Sequence, residues 1–401
     1  MRAFLHKLRY VRLRDVLSVF ALIAALPWAF RLKRRRPHIW LLCERRSEAR
    51  DNGFWFYRYL RLHQPQVDTV YAIDPRSPDA AKVAALGGEV IPWGGVRHWA
   101  YYLAAEYNVS SQKDGKPNAA LCHLIEVYGH YRNRRVFLQH GVIHNDTKFL
   151  HYENSRIGFF VCGAKPEYDF VRETFGYPQG AVHYLGLARF DGLHDHHEEP
   201  FVLVIPTWRK SIARPARFAR HLDREAQFKR TSYYRHWHGL LTDQALHDEL
   251  ADAGLKLAFY PHANMQRFLD EFKDGCDDVI FCDWRENDVQ DLLKRATFLI
   301  TDYSSVAMDF AYMGKPLLYY QFDQEDFRRY QYAAGYFDYA RDGFGPVCET
   351  LGDVREALRR WEERGRTNED VYLERGRAFF TIHDDHNCER IYQAICDWGR
   401  S

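Results

Sequence analysis

Short runs of apolar residues, separated by longer segments of mixed polarity, follow one another along the chain after Pro37. Such runs predict strands of parallel sheets that are covered by helices on both faces. The first series of predicted strands is His38–Cys43, Thr69–Ile73, Glu89–Trp93, Tyr107–Ser111, Arg135–His140, Gly158–Gly163 and Val182–Gly186. The second series is Phe201–Thr207, Leu255–Pro261, Val279–Cys282, Phe298–Asp302 and Pro316–Gln321. The pattern therefore predicts an α/β protein.

The two series are separated by a polar, proline-terminated segment, His194–Pro200. Its three histidines would suit a metal site, but no His and carboxylate spacing elsewhere completes a coordination sphere, which favours a solvated linker. A chain of 401 residues also exceeds what one hydrophobic core usually accommodates. We therefore predict two Rossmann-like domains, residues 37–196 and residues 197–401.

The first 36 residues have a different pattern. Their apolar core of 15 residues, Val16–Phe30, contains Pro27 and is shorter than the roughly 20 residues of a transmembrane helix. A signal peptide would begin similarly, but basic residues follow this core where a cleavage site needs small ones. The preceding stretch, Arg2–Arg14, alternates basic and apolar residues, as interfacial helices do. We predict a basic amphipathic, membrane-associating segment over residues 1–36; a helix packed on the protein's own surface is the alternative.

Composition narrows the class of protein. A net charge of +2 argues against a dedicated nucleic-acid binder. Hydrophobic residues make up 46% of the chain, which is enough for globular cores. None of the eight cysteines forms a Cys-x-x-Cys pair, and most lie in apolar runs. We therefore expect reduced thiols and a cytoplasmic location.

The segment Leu299–Pro316 carries an acid and several hydroxyl groups where a predicted strand leads into a predicted helix. A helix over Asn287–Ala296 precedes the strand, and another is predicted to begin near Ser304. Ligands of α/β sheets bind beyond the carboxyl ends of the strands, where a helix N-terminus attracts anions. The hydroxyls of Thr301, Ser304 and Ser305 could donate to a phosphate; ordinary helix capping is the alternative.

Three other predicted strand ends carry side chains suited to phosphate chemistry. His140 ends one strand, where a general base is well placed, although a histidine hydrogen-bonded in a turn would look the same. His262 follows a second strand. Arg209 and Lys210 follow a third, where two cations could neutralise a diphosphate. Together these positions predict phosphate chemistry in a cleft between the two domains.

Motifs of several common enzyme classes are absent from the sequence. It contains no Gly-x-x-x-x-Gly-Lys-Ser/Thr loop, no Gly-x-Gly-x-x-Gly after a strand and no Gly-x-Ser-x-Gly elbow. These absences argue against a P-loop nucleotidase, a dinucleotide-binding enzyme with that fingerprint and an α/β-hydrolase.

Several segments resemble, in order along the chain, motifs of the CDP-glycerol glycerophosphotransferase family, the teichoic acid primases and polymerases. They are Gln139–Val142, Gly186–Asp191, Pro206–Arg209, Tyr260–His262, Leu292–Asp323, Gly343–Thr350 and His383–Ile391. The block Leu292–Asp323 is highly specific, and the others are short but correctly placed. The resemblance extends from about Tyr128 to Ile391.

This resemblance implies a GT-B-like fold, in which two Rossmann-like domains with parallel sheets face an interdomain cleft. The C-terminal domain would hold a CDP-linked donor and end in a closing helix. His140 would be the catalytic base, and His262 a second essential histidine near the donor phosphates. The donor-binding set that we predict, from the resemblance and from the strand ends, is Arg209, Thr301, Asp302, Ser304, Ser305 and Asp309. The resemblance also implies a peripheral enzyme on the cytoplasmic face of the membrane.

We therefore expect transfer of glycerol phosphate or ribitol phosphate from a CDP-alcohol to a hydroxyl of a membrane-bound, lipid-linked acceptor, with release of CMP. The product would be teichoic acid or a capsular polymer. We predict no metal site and no cofactor, while a Mg²⁺ ion held loosely on the diphosphate is compatible with the sequence. A GT-B glycosyltransferase that uses a nucleotide-sugar and a non-catalytic membrane scaffold are the alternatives.

The chain also departs from the family. Many members have Trp-His-Gly-Thr where this chain has Gln139–Val142, which we interpret as the mark of a different acceptor. Lys210 stands where an acid is common. Residues 37–127 match no motif, and acceptor recognition is expected there. The sequence leaves open the alcohol, primase or polymerase action, teichoic acid or capsule, and the oligomeric state.

Overall fold

The computed structural model describes residues 13–129, 134–213, 224–331 and 333–400. The predicted interfacial stretch Arg2–Arg14 lies almost wholly outside the described residues. The chain divides into two compact units. Unit 1 consists of Met1–His140, Lys148–Asp191 and Asp384–Ser401, and unit 2 consists of Gly141–Thr147 and Gly192–His383.

Fifteen strands form the sheets of the described chain. In chain order they are β1 (Trp40–Cys43), β2 (Thr69–Ile73), β3 (Glu89–Pro92), β4 (Tyr107–Ser110), β5 (Arg135–Phe137), β6 (Asn145–Asp146), β7 (Phe159–Cys162), β8 (Val182–Tyr184), β9 (Glu199–Ile205), β10 (Lys256–Phe259), β11 (Val279–Phe281), β12 (Ala296–Thr301), β13 (Leu317–Tyr320), β14 (Ala333–Ala334) and β15 (Val347–Cys348).

Each unit is built on one parallel sheet. The seven strands of unit 1 have the order β3-β2-β1-β4-β5-β7-β8. The six strands of unit 2 have the order β11-β10-β9-β12-β13-β15. In both sheets the chain starts in the middle, adds strands on one side and then crosses to the other, which is the doubly wound arrangement of Rossmann-like folds. The prediction of two parallel α/β sheets is confirmed.

Helices connect the strands. The α-helices are Leu13–Arg35, Asn52–His63, Ala80–Ala84, Val96–Ala104, Ala119–His123, Tyr152–Ser155, Lys165–Thr174, Lys210–Ala213, Arg224–Lys229, Ser232–Leu241, Gln244–Asp252, Val289–Arg295, Val306–Tyr312, Gln324–Tyr330, Tyr339–Asp342, Leu351–Glu363, Asp370–Phe379 and Asn387–Arg400. A π-helix spans Leu124–Tyr128. The helix predicted over Asn287–Ala296 is Val289–Arg295, and the Asp288 carboxylate caps it by accepting from the backbone N–H of Gln290 at 3.0 Å.

The strands are recognisable in the sequence because both of their faces are covered. Every residue of β1, β7, β12 and β13 is buried. A strand buried on both faces has no polar side, so its residues form a continuous apolar run. The strands β6 and β14, which pair with each other in antiparallel fashion, are two residues long and mostly polar or exposed. Strands this short carry no periodicity that a sequence could reveal.

The C-terminal helix Asn387–Arg400 belongs to unit 1, whereas the sequence predicts a C-terminal domain of residues 197–401. The Asp191 carboxylate accepts from the first two backbone N–H groups of this helix, at 2.8 and 2.9 Å. Further along, the Trp398 ring lies 5.9 Å from the ring of Tyr107 in β4. An acid at the helix N-terminus and aromatic packing along the helix hold it against the first sheet.

The N-terminal helix Leu13–Arg35 is continuous over 23 residues and thus longer than the predicted apolar core. By length and composition alone it could cross a membrane. One face packs on unit 1, where Trp99 donates from Nε1 to the Ser18 hydroxyl at 2.9 Å. The buried residues of that face are Ser18, Ala25, Ala29 and Leu32. Other positions expose large apolar side chains, among them Leu13, Leu17, Phe20, Ile23, Leu26 and Phe30.

Candidate functional site

Both parallel sheets have a switch point, where the connections turn to opposite sides of the sheet. It lies between β1 and β4 in unit 1 and between β9 and β12 in unit 2. Ligands of open α/β sheets bind beyond the carboxyl ends of the strands at such points. The predicted site residues follow β5 in unit 1 and β9, β10 and β12 in unit 2. In each unit they therefore lie at the edge of the sheet where this fold binds ligands.

His140 follows β5 and is paired with Asp51. The distance between Nδ1 of the imidazole and Oδ2 of the carboxylate is 2.5 Å. Two acceptors at this separation would repel, so we infer that Nδ1 carries a proton and donates it to Asp51. The lone pair is then on Nε2. Because the His140 side chain is 53% exposed, this arrangement suits a general base that takes a proton from a substrate.

Asp51 keeps its charge despite its partly buried position. Burial raises the pKa of its carboxyl group, but His140 and Arg189 outweigh burial, so that the net shift is downward. The NH1 group of Arg189 donates to Oδ1 of Asp51 at 2.9 Å and to the backbone oxygen of His140 at 2.7 Å. A single guanidinium thus fixes both the acid and the backbone of the histidine.

Glu44, a buried residue that follows β1, fixes the loop that carries Asp51 by hydrogen bonds to its backbone. The oxygens of its carboxyl group accept from the backbone N–H groups of Arg50 at 2.9 Å, Asp51 at 3.1 Å and Phe54 at 2.7 Å. Burial, together with the charge on Asp51, raises the pKa of Glu44 to about 8. Asp51 is in turn the N-cap residue of the helix Asn52–His63. The start of this helix therefore sets the position of the acid.

Gln139 fixes the backbone on the other side of His140. Its φ is 71°, in the left-handed region that is costly for residues other than glycine. Asn52 donates from Nδ2 to the Gln139 carbonyl at 2.8 Å, and Gln139 donates from Nε2 to Oε1 of Glu167 at 2.5 Å. The second Glu167 oxygen accepts from the backbone N–H of Gly163 at 2.7 Å. The buried Gln139 side chain thus faces the core of unit 1, and the interpretation of this motif as the mark of a different acceptor stays a prediction.

In unit 2, Arg209 follows β9 and is buried, and each of its three nitrogen atoms donates to a protein group. Nε donates to Asp323 at 2.8 Å, NH2 to Asp302 at 2.9 Å and NH1 to the Thr207 carbonyl at 2.8 Å. Burial opposes the charge of the guanidinium, but Asp302 and Asp323 outweigh burial and raise its pKa. The rings that surround it at 5.1 to 5.3 Å are those of Tyr233, Tyr303 and Phe327. This geometry favours a positioning role for Arg209 over the predicted direct contact with a diphosphate.

Thr301 and Asp302, at the end of β12, are fully buried and bonded within unit 2. The Thr301 hydroxyl donates to the carbonyl of Ile205 at 2.6 Å. Oδ1 of Asp302 accepts from the backbone N–H groups of Thr207 at 2.8 Å and Tyr303 at 2.6 Å. Both side chains therefore join the end of β12 to the end of β9, and neither is exposed to a ligand.

Ser304 and Ser305 are only partly buried. The helix that follows them begins at Val306, slightly later than predicted. Ser305 is its N-cap residue, yet its side chain makes no capping hydrogen bond in the described structure. The Ser304 hydroxyl accepts from the Val306 N–H at 3.5 Å, which is a long contact. Both hydroxyls therefore suit a ligand better than a cap, while Asp309 is buried in the first turn of the helix.

His262 follows β10 and has the tautomer opposite to that of His140. Its Nδ1 accepts from the backbone N–H of Asn264 at 3.1 Å, so that in the neutral ring the proton is on Nε2. Its ring centroid lies 6.1 Å from that of Trp208. A neutral imidazole with a proton on Nε2 is a hydrogen-bond donor, which suits a phosphate oxygen. The roles of His140, His262, Ser304 and Ser305 in a reaction stay predictions.

Some residues that surround His140 in unit 1 are not among the site residues that the sequence predicts. Asp51, Gln112 and Glu167 belong to segments without a recognised motif. Gln112 donates from Nε2 to Oδ2 of Asp51 at 3.3 Å, and the same amide nitrogen lies 2.8 Å from Nδ1 of His140. The shorter contact with the charged carboxylate of Asp51 decides the tautomer of His140. Asp51 has one signal, because an acid followed by Asn-Gly near the end of the first strand is a helix start at the ligand-binding edge. Glu167 has none, since its role depends on a contact 28 residues away.

Within the described ranges, no group of three or more His, Cys, Asp or Glu side chains is arranged to hold a metal ion. Seven of the eight cysteines are buried, and Cys396 is partly buried. Burial raises the pKa of several thiols, that of Cys43 to about 12. These cysteines are packing residues rather than metal ligands or nucleophiles.

Comparison with known sequences identifies related proteins. A family model described as CDP-glycerol:poly(glycerophosphate) glycerophosphotransferase matches residues 25–397. The chain is 30% identical over 373 residues to the minor teichoic acid biosynthesis protein GgaB of Bacillus subtilis (strain 168). This match covers 92% of the chain but 40% of GgaB, so the chain spans less than half the length of that relative.

Solved structures share the fold. The wall teichoic acid polymerase TagF matches with a TM-score of 0.67 at 15% identity, over 99% of this chain and 98% of that chain. A UDP-GlcNAc 2-epimerase from Neisseria meningitidis, bound to UDP-GlcNAc, matches with a TM-score of 0.53 at 9% identity, over 90% of this chain and 100% of that chain. At these identities the likeness establishes the α/β fold with parallel sheets and nothing about the ligand.

Proposed function

The chain belongs to the CDP-glycerol:poly(glycerophosphate) glycerophosphotransferase family, and we propose that it transfers a polyol phosphate from a CDP-alcohol to a hydroxyl group of a lipid-linked acceptor. The alcohol would be glycerol or ribitol, the other product CMP, and the polymer a teichoic acid or a capsular polymer. The observation that carries this proposal is the pair of His140 and Asp51 at the ligand-binding edge of unit 1.

His140 acts as the general base in this proposal. Its Nε2 takes the proton of the acceptor hydroxyl as the oxygen attacks the phosphorus of the donor. Asp51 holds the ring by Nδ1 and stabilises the imidazolium that forms, and Arg189 keeps Asp51 in place. The oxygen of the acceptor forms the new bond to phosphorus, the bond from phosphorus to the bridging oxygen of the diphosphate breaks, and CMP leaves.

Unit 2 supplies the groups that bind the donor. Phosphoryl transfer needs positioning and stabilisation of charge on the phosphoryl oxygens. The Nε2–H of His262 and the hydroxyls of Ser304 and Ser305 are suitable donors, because none of them is fully buried. We assign an indirect part to the buried Arg209, Thr301 and Asp302, which hold the ends of β9 and β12 together. We also assign an indirect part to Asp309, which is buried in the first turn of the helix after β12. We propose no resident cofactor, and a Mg²⁺ ion on the diphosphate would enter with the substrate.

We propose that the protein is peripheral to the cytoplasmic face of the membrane. The helix Leu13–Arg35 has one face occupied by unit 1, while large apolar side chains elsewhere on it are exposed and Lys33, Arg34 and Arg35 lie in its last turn. A helix of this kind lies in the interface, with apolar residues among the acyl chains and basic residues at anionic headgroups. The buried thiols agree with a reducing compartment.

The alternative is a glycosyltransferase that uses a nucleotide-sugar, since the same fold serves both classes. To separate them, the purified chain is incubated with a lipid-linked acceptor and with CDP-glycerol, CDP-ribitol or UDP-sugars, and the released nucleotide and the mass of the acceptor are measured. Release of CMP with a gain of polyol phosphate supports the proposal. Release of UDP with a gain of a sugar supports the alternative, and no turnover of any donor supports a non-catalytic scaffold.

A further inference from the structure

Two loops of unit 1 join into one surface, which we call the arginine ledge and define as residues 44–51, after β1, and residues 74–79, after β2. The backbone N–H of Asp74 donates to the carbonyl of Arg46 at 2.8 Å. The backbone N–H of Ala49 donates to Asp79 at 2.9 Å. Since both loops follow parallel strands, the ledge lies at the same edge of the sheet as His140.

Arg46 and Arg76 share one carboxylate, that of Asp74. Nε of Arg46 lies 2.8 Å from Oδ2, while Nε and NH2 of Arg76 lie 3.2 and 3.1 Å from Oδ1 and Oδ2. The arginine side chains are 59% and 81% exposed, whereas that of Asp74 is 13% exposed. The NH1 group of each arginine makes no hydrogen bond in the part of the chain that the structure describes. Two guanidinium groups are thus fixed in place, and the NH1 group of each can still donate to a ligand.

A second, similar anchor lies closer to the base. Arg50 donates from Nε to both oxygens of the buried Asp79, at 3.0 and 2.8 Å. In both anchors the carboxylate lies beneath and the guanidinium lies nearer to the solvent. Arg46 and Arg76 share the single negative charge of Asp74, so this group of three keeps one net positive charge. An approaching anion meets guanidinium groups that need little further ordering, which lowers the entropic cost of binding.

The ledge leads to the proposed catalytic pair. Arg50 directly precedes Asp51, which is bonded to His140. Arg46 precedes Asp51 by five positions, so that their Cα atoms lie within about 18 Å of each other. A chain with a phosphate every few bonds could thus place its terminal hydroxyl at His140 and an earlier phosphate at the ledge.

We propose that the arginine ledge binds a phosphate group of the acceptor, either a phosphodiester or a diphosphate, near the hydroxyl that reacts. This inference rests on the proposed function and extends it to residues 37–127, which match no family motif. Guanidinium groups match the oxygen atoms of phosphate in geometry and keep their charge at every working pH. Arg46 and Arg76 supply the exposed donors, and Asp74 orients them.

The test measures binding of a soluble glycerol phosphate oligomer to the full chain by calorimetry, without donor. The variants are Arg46→Gln, Arg76→Gln and the double variant. The matched control is Arg172→Gln, an exposed arginine of the same unit that is paired with Glu173. We expect the double variant to weaken oligomer binding roughly five- to twentyfold at low salt, and less at high salt. Binding of CDP-glycerol should stay unchanged in all variants, and the control should bind like the wild type.

Two further measurements separate loss of phosphate binding from loss of structure and from binding to a lipid headgroup. Thermal unfolding of Arg76→Gln, a substitution at a mostly exposed side chain, shows whether lost binding reflects lost structure. Binding to vesicles with and without anionic lipid separates an acceptor phosphate from a lipid headgroup. Unchanged oligomer binding in the double variant overturns the inference, as does a loss confined to anionic vesicles. If the wild type consumes neither CDP-glycerol nor CDP-ribitol, the proposed function fails, while oligomer binding still decides the inference.

Discussion

Nδ1 of His140 lies 2.5 Å from Oδ2 of Asp51, although 89 positions separate the two residues along the chain. The loops after β1 and β5 carry them, and Arg189, after β8, bonds to both. Parallel strands place all of their carboxyl ends at one edge of the sheet, so distant segments can meet there. The fold thus assembles an oriented base from residues that have no local relationship in the sequence.

The pair of Gln139 and Glu167 predicts an asymmetric set of mutational effects. Gln139→Glu would place two carboxylates against each other in the core, so we expect kcat to fall at least about tenfold and the free energy of unfolding to fall by about 3 kcal/mol. Glu167→Gln should be milder, because a rotated Gln139 amide can accept from the new side chain. Turnover and chemical denaturation measure both effects.

The double variant Gln139→Glu with Glu167→Gln supplies the control. Its new glutamine can still accept from the backbone N–H of Gly163 and can donate to the new glutamate, so both of these hydrogen bonds are kept, the one between positions 139 and 167 with donor and acceptor exchanged. We expect the double variant to be more stable and more active than Gln139→Glu alone. Additive losses would show that the two side chains do not act as a pair.

Substitution of the hydroxyl residues near the end of β12 should distinguish those that bind the donor, Ser304 and Ser305, from Thr301, which stabilises the fold. Ser304→Ala and Ser305→Ala should each raise the KM for the CDP-alcohol roughly five- to tenfold, because each removes a donor to a charged oxygen, with little change in stability. Thr301→Val should instead lower the free energy of unfolding by about 1 kcal/mol and leave that KM unchanged, because its hydroxyl bonds to Ile205. Donor kinetics and denaturation curves distinguish these outcomes, and the reverse pattern would move the site away from the serines.

His144 predicts how the stability of unit 2 depends on pH. Burial lowers its pKa from 6.5 to about 4. The unfolded chain takes up a proton on this residue below about pH 6.5, whereas the folded protein does so only below about pH 4. The stability due to the neutral ring is therefore complete above pH 6.5 and is lost as the pH falls toward 4, by roughly 3 kcal/mol in total.

Denaturation curves between pH 4 and pH 7 test this dependence. His144→Gln should reduce the slope of stability against pH in that range, and the buried His98 of unit 1, whose pKa burial lowers to about 3, contributes to the slope that remains. Tyr339→Phe removes the hydroxyl that lies 3.1 Å from Nε2 of His144 but leaves the ring buried, so the slope should persist. If stability falls with pH as steeply in His144→Gln as in the wild type, groups other than His144 cause the loss of stability at low pH.

The exposed apolar side chains of the helix Leu13–Arg35 predict binding to membranes. Replacing both Phe20 and Phe30 by serine should weaken binding to anionic vesicles at least about tenfold, because each phenyl ring contributes about 2 kcal/mol when it leaves water. Tyr330→Ser, at an exposed aromatic residue of unit 2, is the control and should bind normally. Sedimentation with vesicles measures the effect. Equal binding by all three proteins would place the membrane contact elsewhere.

Much of the fold follows from the sequence because the strands are buried on both faces. All twelve predicted strands are present, and β2 has the predicted bounds, Thr69–Ile73. The predicted strand Arg135–His140 is too long, since the left-handed conformation of Gln139 ends the regular strand before the histidine. The placement of the C-terminal helix on unit 1 has no local signal, because it depends on a carboxylate, Asp191, almost 200 positions earlier.

The site follows from the sequence only in part. The strand-end positions of His140 and His262 are visible as apolar runs that end in a histidine. Their tautomers are not visible, because Asp51 and a backbone N–H decide them. For the same reason the burial of Arg209 could not be foreseen: its partner Asp323 lies 114 positions away. Sequence patterns thus locate strand ends, whereas the chemistry at each end depends on contacts between distant loops.

The most direct test of the account measures CMP release by His140→Ala in a single turnover with a CDP-alcohol and a lipid-linked acceptor. Calorimetry with the donor alone serves as the control, because His140 belongs to unit 1 and the proposed donor-binding residues belong to unit 2. We predict that CMP release slows by roughly 10²–10⁴-fold while donor affinity stays unchanged. Near-wild-type release of CMP by His140→Ala would contradict the assignment of His140 as the base.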